Sequence, residues 1–194
     1  EKVFGSDAQQ SEMHPFCVKT AIGRVIEGVN SAVMVYGQTG SGKTFTMEGT
    51  TEEPGVSQQA FSALFQKIRQ VQLSSVKAGN GDSVTQFHVR VSYVQIYMER
   101  VFDLLVDARR DHTLHLQEDE DSTTVNIPAA TNVRVESAAE ATALLERGAD
   151  ADAADAAGET PLHALLRAAS DTSSGVADGT VRSAFTALGP KSDL

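Results

Sequence analysis

The sequence contains very little cysteine, since Cys17 is the only one among 194 residues. No disulfide can form within the chain, and we therefore expect a reducing compartment. No apolar run approaches the roughly 18 residues that a membrane-spanning helix needs, and the segment Glu1–Gln10 is too polar for a secretory signal. We expect no membrane partner.

Basic residues are also few. The 16 lysines and arginines are outnumbered by 26 aspartates and glutamates, which gives a formal net charge of −10. This charge repels nucleic acid and anionic lipid, so neither is expected as the main partner. The length allows one domain with a hydrophobic core, or one domain with a small appendage.

The first half of the chain alternates predicted helices and strands. Apolar residues at helical spacing predict a helix over Val18–Val29 and another over Phe61–Val71. The short apolar run Ser31–Tyr36 predicts a buried strand, and alternating apolar residues predict a long strand over Gln86–Tyr97. This order of elements favours the α/β class.

Shorter elements are predicted beyond the long strand. They are a helix around Val101–Leu105 and strands near Leu114–Leu116, Thr124–Ile127 and Thr131–Val135. Ser137 and Glu140 have the spacing of a capping box, in which the serine accepts an amide three residues on and the glutamate reaches back. The helix that they begin is predicted to end at Gly148, because glycine is common just past a helix.

A glycine-rich motif lies between the first predicted strand and a helix predicted over Lys43–Met47. It reads Gly37-Gln38-Thr39-Gly40-Ser41-Gly42-Lys43-Thr44 and fits the pattern G-x-x-x-x-G-K-[ST]. Glycines let the backbone turn tightly around an anion, and the helix start adds its positive dipole end. Lys43 is placed to reach the β- and γ-phosphates of ATP, and the Thr44 hydroxyl to ligate Mg²⁺. A glycine-rich turn that arose by chance would not need to lie between a strand and a helix. Because the motif lies in this context, it predicts a site for ATP with Mg²⁺.

The residues around the motif resemble the kinesin motor domain. VYGQTGSGKTFTMEG (Val35–Gly49) resembles the kinesin signature almost residue for residue, and VSYVQIYMERVFDLL (Val91–Leu105) looks like the family's segment ending in D-L-L. The segments Val3–Glu12 and Glu27–Asn30 are similar to the family as well. The resemblance covers about Val3–Gly148. It implies a P-loop NTPase-type sheet with helices on both faces, ATP hydrolysis coupled to microtubule-based movement, and a location in the cytoplasm at the cytoskeleton.

Two positions bear on contact with the adenine base. The resemblance implies that Phe45 packs its ring near the base. Val29 stands where the family often has an aromatic residue, which implies a weaker contact at that point.

Two motifs of the family do not occur in the sequence. Kinesins sense the γ-phosphate through N-x-x-S-S-R-S-H and D-L-A-G-S-E, and Ser173-Ser174 with Arg182-Ser183 are only a faint echo of the first. We assign these residues no catalytic role and predict no catalytic residue, so we expect ATP binding without useful hydrolysis. The sheet is expected to be incomplete, with open edges on the strand Ser31–Tyr36 and a loosely held fold.

The segment Leu144–Ala169 reads LLERGADADAADAAGETPLHALLRAA and resembles the join between two ankyrin repeats. Thr160-Pro161 would begin its helix, with proline at the favoured first position, and His163 would be a structural turn residue. An alanine-rich amphipathic helix after a flexible loop is the alternative. We thus expect a partial motor-like domain over 1–148, a helical ankyrin-like segment over 149–170 that could bind a protein partner, and a disordered tail over 171–194.

Two further interpretations stay open. One is a non-motor P-loop nucleotide-binding or scaffold protein with an interaction tail. The other is a truncated or chimeric product that has no activity of its own.

Overall fold

A mixed β sheet with helices packed on one face forms the framework of the chain. It is seen in a computed structural model that describes residues 2–5, 7–38, 40–77, 86–97, 99–106, 113–118, 125–155, 163–171 and 179–188. The helices are α1 Gln10–Met13, a turn of π-helix His14–Val18, α2 Lys19–Ile26, α3 Lys43–Met47, α4 Val56–Lys77 and α5 Ala138–Asp155. The strands are β1 Ser31–Tyr36, β2 Gln86–Tyr97, β3 Arg100–Asp103, β4 Thr113–Leu114, β5 Gln117–Glu118, β6 Val125–Asn126, β7 Val133–Val135, β8 His163–Asp171 and β9 Gly179–Leu188.

The strands of the main sheet run in the order β1-β9-β8-β2-β3-β4, and β7 also pairs with β2. β1 and β9 are parallel, from Ser31 opposite Ser183 to Tyr36 opposite Leu188. The other pairs in this sheet are antiparallel. β5 and β6 form a separate two-stranded sheet.

The core lies between β2 and the helices α2, α4 and α5. Alternate residues of β2 face it because successive side chains of a strand point to opposite faces. The large, fully buried members of this core include Tyr93, Phe61 and Leu64. The 22-residue helix α4 contributes Phe61, Leu64 and Ile68 to this core. On β1, Val33 and Val35 pack against the same core.

The opposite face of β1 carries apolar residues that are exposed. Met34 is 62% and Tyr36 is 83% exposed. The sequence predicts helices on both faces of the sheet. In the part of the chain that the structure describes, the helices of the core lie on the face of Val33 and Val35 alone.

The elements next to the glycine-rich motif have the predicted bounds. β1, α3 and β2 begin and end at the predicted residues. The helix predicted over Val18–Val29 differs at both ends, since the helical run begins at Gln10 and ends at Ile26. Gly28 ends it in the left-handed region, with φ of 87°.

The short helix predicted around Val101–Leu105 is wrong. The chain turns at Glu99, which has φ of 65°, and returns as β3 against β2. Val101 and Asp103 are both buried, and this spacing of two residues is the side-chain period of a strand. The Leu104 amide also donates a hydrogen bond of 2.9 Å to the Tyr93 carbonyl oxygen. Long-range pairing with β2 thus outweighs the local helical spacing of these residues.

The capping box at the start of α5 is present with one difference. The Ser137 hydroxyl oxygen accepts a hydrogen bond from the Glu140 amide at 3.2 Å, as predicted. The Glu140 carboxylate accepts from the Glu136 amide at 2.9 Å, one residue before the amide that the pattern specifies.

The predicted end of that helix at Gly148 is wrong, because α5 continues to Asp155. A β-carbon added at Gly148 would lie 2.2 Å from Cδ1 of Tyr93. This glycine therefore permits close packing of α5 on β2 and does not terminate the helix. The division of the chain at residue 148 stays a prediction, although the residue itself lies inside α5.

The ankyrin-like helical segment is not supported. His163–Asp171 forms β8 where a helix was predicted, and Gly179–Leu188 forms β9 where disorder was predicted; Thr160 and Pro161 lie outside the described residues. His163 begins β8, opposite Val94, and is not a turn residue. Pairing with β2 and β1 overrides the helical propensity of the alanines in these segments. The open edges predicted for β1 are also corrected in part, because β9 pairs with one of them.

Candidate nucleotide-binding site

The glycine-rich motif connects the carboxyl end of β1 to the amino end of α3. Gly40 and Gly42 have φ values of 79° and 87°, a region that residues with a β-carbon adopt only with strain. The Ser41 amide donates to the Gln38 carbonyl at 3.1 Å and closes the turn. Thr39 lies outside the described residues. The described backbone therefore has the tight curvature that the sequence predicts at this position.

Lys43 is the cation of the loop. It is half-buried, and its Nζ donates a hydrogen bond of 2.9 Å to the backbone carbonyl oxygen of Gln38. The side chain thus folds back over the turn that precedes its own helix. A charged ammonium held at the start of a helix favours an anion there, because the first helical amides have no partner within the helix.

Thr44 and Phe45 follow on the first turn of α3, and both are exposed. The Phe45 ring is 46% exposed, so an apolar surface lies directly beside the loop. Val29 is 42% exposed and lies before β1, where its amide donates to the Arg24 carbonyl at 2.9 Å. The predicted phosphate-binding residues are therefore brought together on one short segment, together with the ring predicted to lie near a base.

The far end of α3 is held by residues that the sequence did not single out. The Gln10 side-chain amide donates to the Phe45 carbonyl oxygen. Gln59 of α4 donates to the Gln10 carbonyl at 3.1 Å and to the Pro54 carbonyl at 2.7 Å. The two contacts of Gln10 join residues 35 and 49 positions apart in the sequence, so no local sequence pattern predicts them.

A tight turn follows α3 and leads into α4. Gly49 has φ of 73°, and a β-carbon there would lie 2.1 Å from the Glu53 carbonyl oxygen. The Thr50 amide donates to the same oxygen at 2.9 Å. The close approach of the two segments therefore requires glycine at position 49.

Strand β9 ends beside the glycine-rich loop, because parallel strands have their carboxyl ends at the same edge of a sheet. Leu188 lies opposite Tyr36, the last residue of β1. In P-loop proteins the metal ion is held by the Ser or Thr of the loop and by an acidic residue of another strand. The residues of β9, GTVRSAFTAL, include neither Asp nor Glu. The Thr44 hydroxyl is a group of the kind that ligates Mg²⁺ in such loops, and β9 adds no carboxylate beside it.

The residues that faintly echo a kinesin motif lie away from the loop or outside the described chain. Ser183 pairs with Ser31 at the opposite end of β1, about 17 Å from Tyr36 at roughly 3.3 Å per residue. Ser173 and Ser174 are not among the described residues.

Within the described ranges, no group of three or more His, Cys, Asp or Glu residues could hold a metal ion. In those ranges, none of the helices is both long enough and apolar enough to cross a membrane.

Comparison with protein families matches residues 1–159 to the family described as the kinesin motor domain. Human kinesin-like protein KIF27 is 37% identical over 152 residues, which cover 75% of this chain and 10% of that protein. Kinesin-like protein tea2 of Schizosaccharomyces pombe is 34% identical over 145 residues, covering 75% of this chain and 21% of that protein. The chain thus spans a small part of the curated relatives that it matches.

A solved structure gives the same result for the fold. It is described as the structure of a fast kinesin, with implications for ATPase mechanism and interactions with microtubules. The TM-score is 0.78 at 27% identity, over 96% of this chain and 51% of the other.

A glycine-rich turn between a strand and a helix, followed by the lysine of the motif, defines the class of P-loop proteins. Within that class, the family match covers most of the sequence. The chain belongs to the kinesin motor domain family, a family of microtubule motors.

Proposed function

We propose that this chain is the nucleotide-binding part of a kinesin-type motor and that it holds Mg·ATP at Gly37–Thr44. The observation that carries the proposal is the position of Lys43, whose ammonium group is fixed over the turn by its bond to Gln38. A phosphate oxygen would replace the Gln38 carbonyl as the acceptor. The exchange is favourable because a hydrogen bond between two charged groups is stronger than one to a neutral carbonyl.

The other residues of the loop have distinct roles in this proposal. The loop amides from Gly40 to Thr44 surround the phosphates, and the Thr44 hydroxyl ligates the Mg²⁺ that accompanies them. The exposed ring of Phe45 packs against the base. Val29, without a ring of its own, adds little at the base.

We further propose that the 194-residue chain binds ATP without useful hydrolysis. Neither motif that senses the γ-phosphate in the family occurs in the sequence, and β9 has no acidic residue to complete the metal shell. Loss of one preorganised catalytic group typically costs about 10²–10³ in rate. The loss of several would leave binding as the main activity.

The microtubule is the proposed partner of the whole motor rather than of this chain alone. The net charge of −10 opposes contact with an acidic partner such as the microtubule lattice. We therefore propose only weak binding of microtubules by the isolated chain.

Calorimetric titration with Mg·ATP tests the site. Lys43→Ala is expected to weaken binding by about 10- to 100-fold, the range for a hydrogen bond to a charged group. Lys67→Ala, which removes an exposed lysine of α4, is the matched control and is expected to bind as the wild type does. Equal affinity of the wild type and Lys43→Ala would refute the proposed site.

A further inference from the structure

Gln10 is a buried polar residue that contacts the helix of the phosphate loop. It is only 4% exposed, and its side-chain amide donates to the backbone carbonyl oxygen of Phe45. Its own backbone carbonyl accepts a hydrogen bond from the side chain of Gln59 at 3.1 Å. We call Gln10 and Gln59 with these hydrogen bonds the glutamine bridge.

The glutamine bridge supplies a hydrogen-bond donor to the carboxyl end of α3, where backbone carbonyls lack partners within the helix. The last four carbonyls of a helix lack partners within it, and α3 has only five residues. The Thr44 carbonyl accepts from the Glu48 amide at 2.8 Å, directly after the helix. The next carbonyl, of Phe45, is reached by Gln10 from α1.

Phe45 is the residue whose backbone the bridge fixes, and its ring is the exposed apolar surface beside the loop. An aromatic ring in that position can stack on a base, because every base presents a flat π-face. The orientation of the ring depends on the backbone that carries it. A restraint on the Phe45 carbonyl is therefore a restraint on the side of the site that would contact the base.

We propose that the glutamine bridge positions Phe45 for contact with the base of the nucleotide. Gln10 and Gln59 are positioning residues, since both act through Phe45 rather than on the ligand. This inference rests on the proposed nucleotide site. It predicts that loss of the bridge weakens binding of the base and leaves binding of the phosphates intact.

The decisive comparison uses two ligands, Mg·ATP and Mg·tripolyphosphate, which differ by the nucleoside. Gln10→Met removes the N–H donor and keeps the length of the side chain. It is expected to weaken ATP binding by about 3- to 10-fold, the range for one net hydrogen bond, and to leave tripolyphosphate binding unchanged. Gln59→Met is expected to act in the same direction, and Gln66→Met, at an exposed position of α4, is the control. An equal loss for both ligands, or no loss for either, would overturn the inference.

A second measurement does not depend on nucleotide. The sequence has no tryptophan, so Phe45→Trp introduces a single indole at the ring position, which can be excited selectively at wavelengths where tyrosine does not absorb. In that background, and without ligand, Gln10→Met is expected to lower the fluorescence anisotropy of the indole, because the backbone below it is released. Unchanged anisotropy would contradict the bridge. If the wild type binds neither ligand, the proposed function fails, while the anisotropy still decides whether the bridge orders position 45.

Discussion

Gly148 lies so close to the ring of Tyr93 that a β-carbon at position 148 would be 2.2 Å from Cδ1 and 2.4 Å from Cε1. Tyr93 is fully buried at the middle of β2, and Gly148 is in the third quarter of α5. The contact therefore sets how closely α5 approaches the sheet. A larger residue would have to move either the tyrosine ring or the helix.

Gly148→Ala is expected to destabilise the fold by about 1–3 kcal/mol, the usual cost of overpacking a core. Gly23→Ala in α2 is the matched control, because a β-carbon there meets no atom within 4 Å. Alanine is the better helix former, so the control is expected to be neutral or to stabilise by up to about 1 kcal/mol. Urea denaturation of both variants measures the difference. A similar change in both would contradict the packing role of Gly148.

Asp103 is buried and ties two segments of backbone together. Its Oδ1 accepts from the Leu105 amide at 2.9 Å, and its Oδ2 accepts from the Thr131 amide at 2.6 Å. Asp103→Ala is expected to cost about 2–4 kcal/mol, since two amides lose their acceptor. Asp103→Asn keeps one acceptor and is expected to cost less. Unfolding free energies of both variants equal to that of the wild type would show that the hydrogen bonds contribute little.

Thr44 is expected to act through the metal ion rather than through the phosphates. Thr44→Val preserves the shape of the side chain and removes the hydroxyl, so the gain in ATP affinity on adding Mg²⁺ is expected to fall by about tenfold. Affinity for ATP in excess EDTA should be unchanged, and Thr44→Ser should restore the Mg²⁺ effect. A loss of affinity that is the same with and without Mg²⁺ would argue against metal ligation.

Strands β8 and β9 separate β1 from β2 in the sheet, so their removal would leave both of those strands with unpaired edges. A chain that ends at Asp155 is expected to lose cooperative thermal unfolding and to aggregate, because open apolar strands pair with other copies. Hydrogen exchange of β1 and β2 before and after truncation measures the effect. Slow exchange of both strands in the shorter chain would show that β8 and β9 are dispensable.

The elements around the loop could be predicted because their signals are local. Ser31–Tyr36 is an apolar run bounded by Asn30 and Gly37, and the alternation in Gln86–Tyr97 is regular over its whole length. Such patterns depend on the segment itself rather than on its partners. The bounds of both strands and of α3 match the prediction for this reason.

The strands near the carboxyl end could not be predicted in the same way. His163–Asp171 is rich in alanine and leucine, which favour a helix when the segment is considered alone. Its conformation is set by pairing with β2, from Asp171 opposite Gln86 to His163 opposite Val94. That register depends on tertiary contacts. Because it makes the segment a strand, the helical ankyrin-like interpretation of the segment is wrong.

The candidate site likewise contains residues that could be predicted from the sequence and residues that could not. Gly37–Thr44 could be identified from spacing alone, because the chemistry of phosphate binding fixes the residue types. Gln10 and Gln59 could not, since a glutamine that donates to a carbonyl across the fold has no signature in the sequence. The contact between Gly148 and Tyr93 could not be predicted either. In a sequence, a glycine that permits close packing cannot be distinguished from a glycine that ends a helix.

The most direct test of the central claim follows the fate of bound nucleotide. The purified chain is mixed with radiolabelled Mg·ATP, with and without microtubules, and the protein-bound and free nucleotides are then separated and identified. We predict about one nucleotide per chain, recovered as ATP, with no increase in released phosphate when microtubules are added. Absence of bound nucleotide would contradict the proposed site, and phosphate release that rises with microtubules would contradict the proposal that this chain binds ATP without useful hydrolysis.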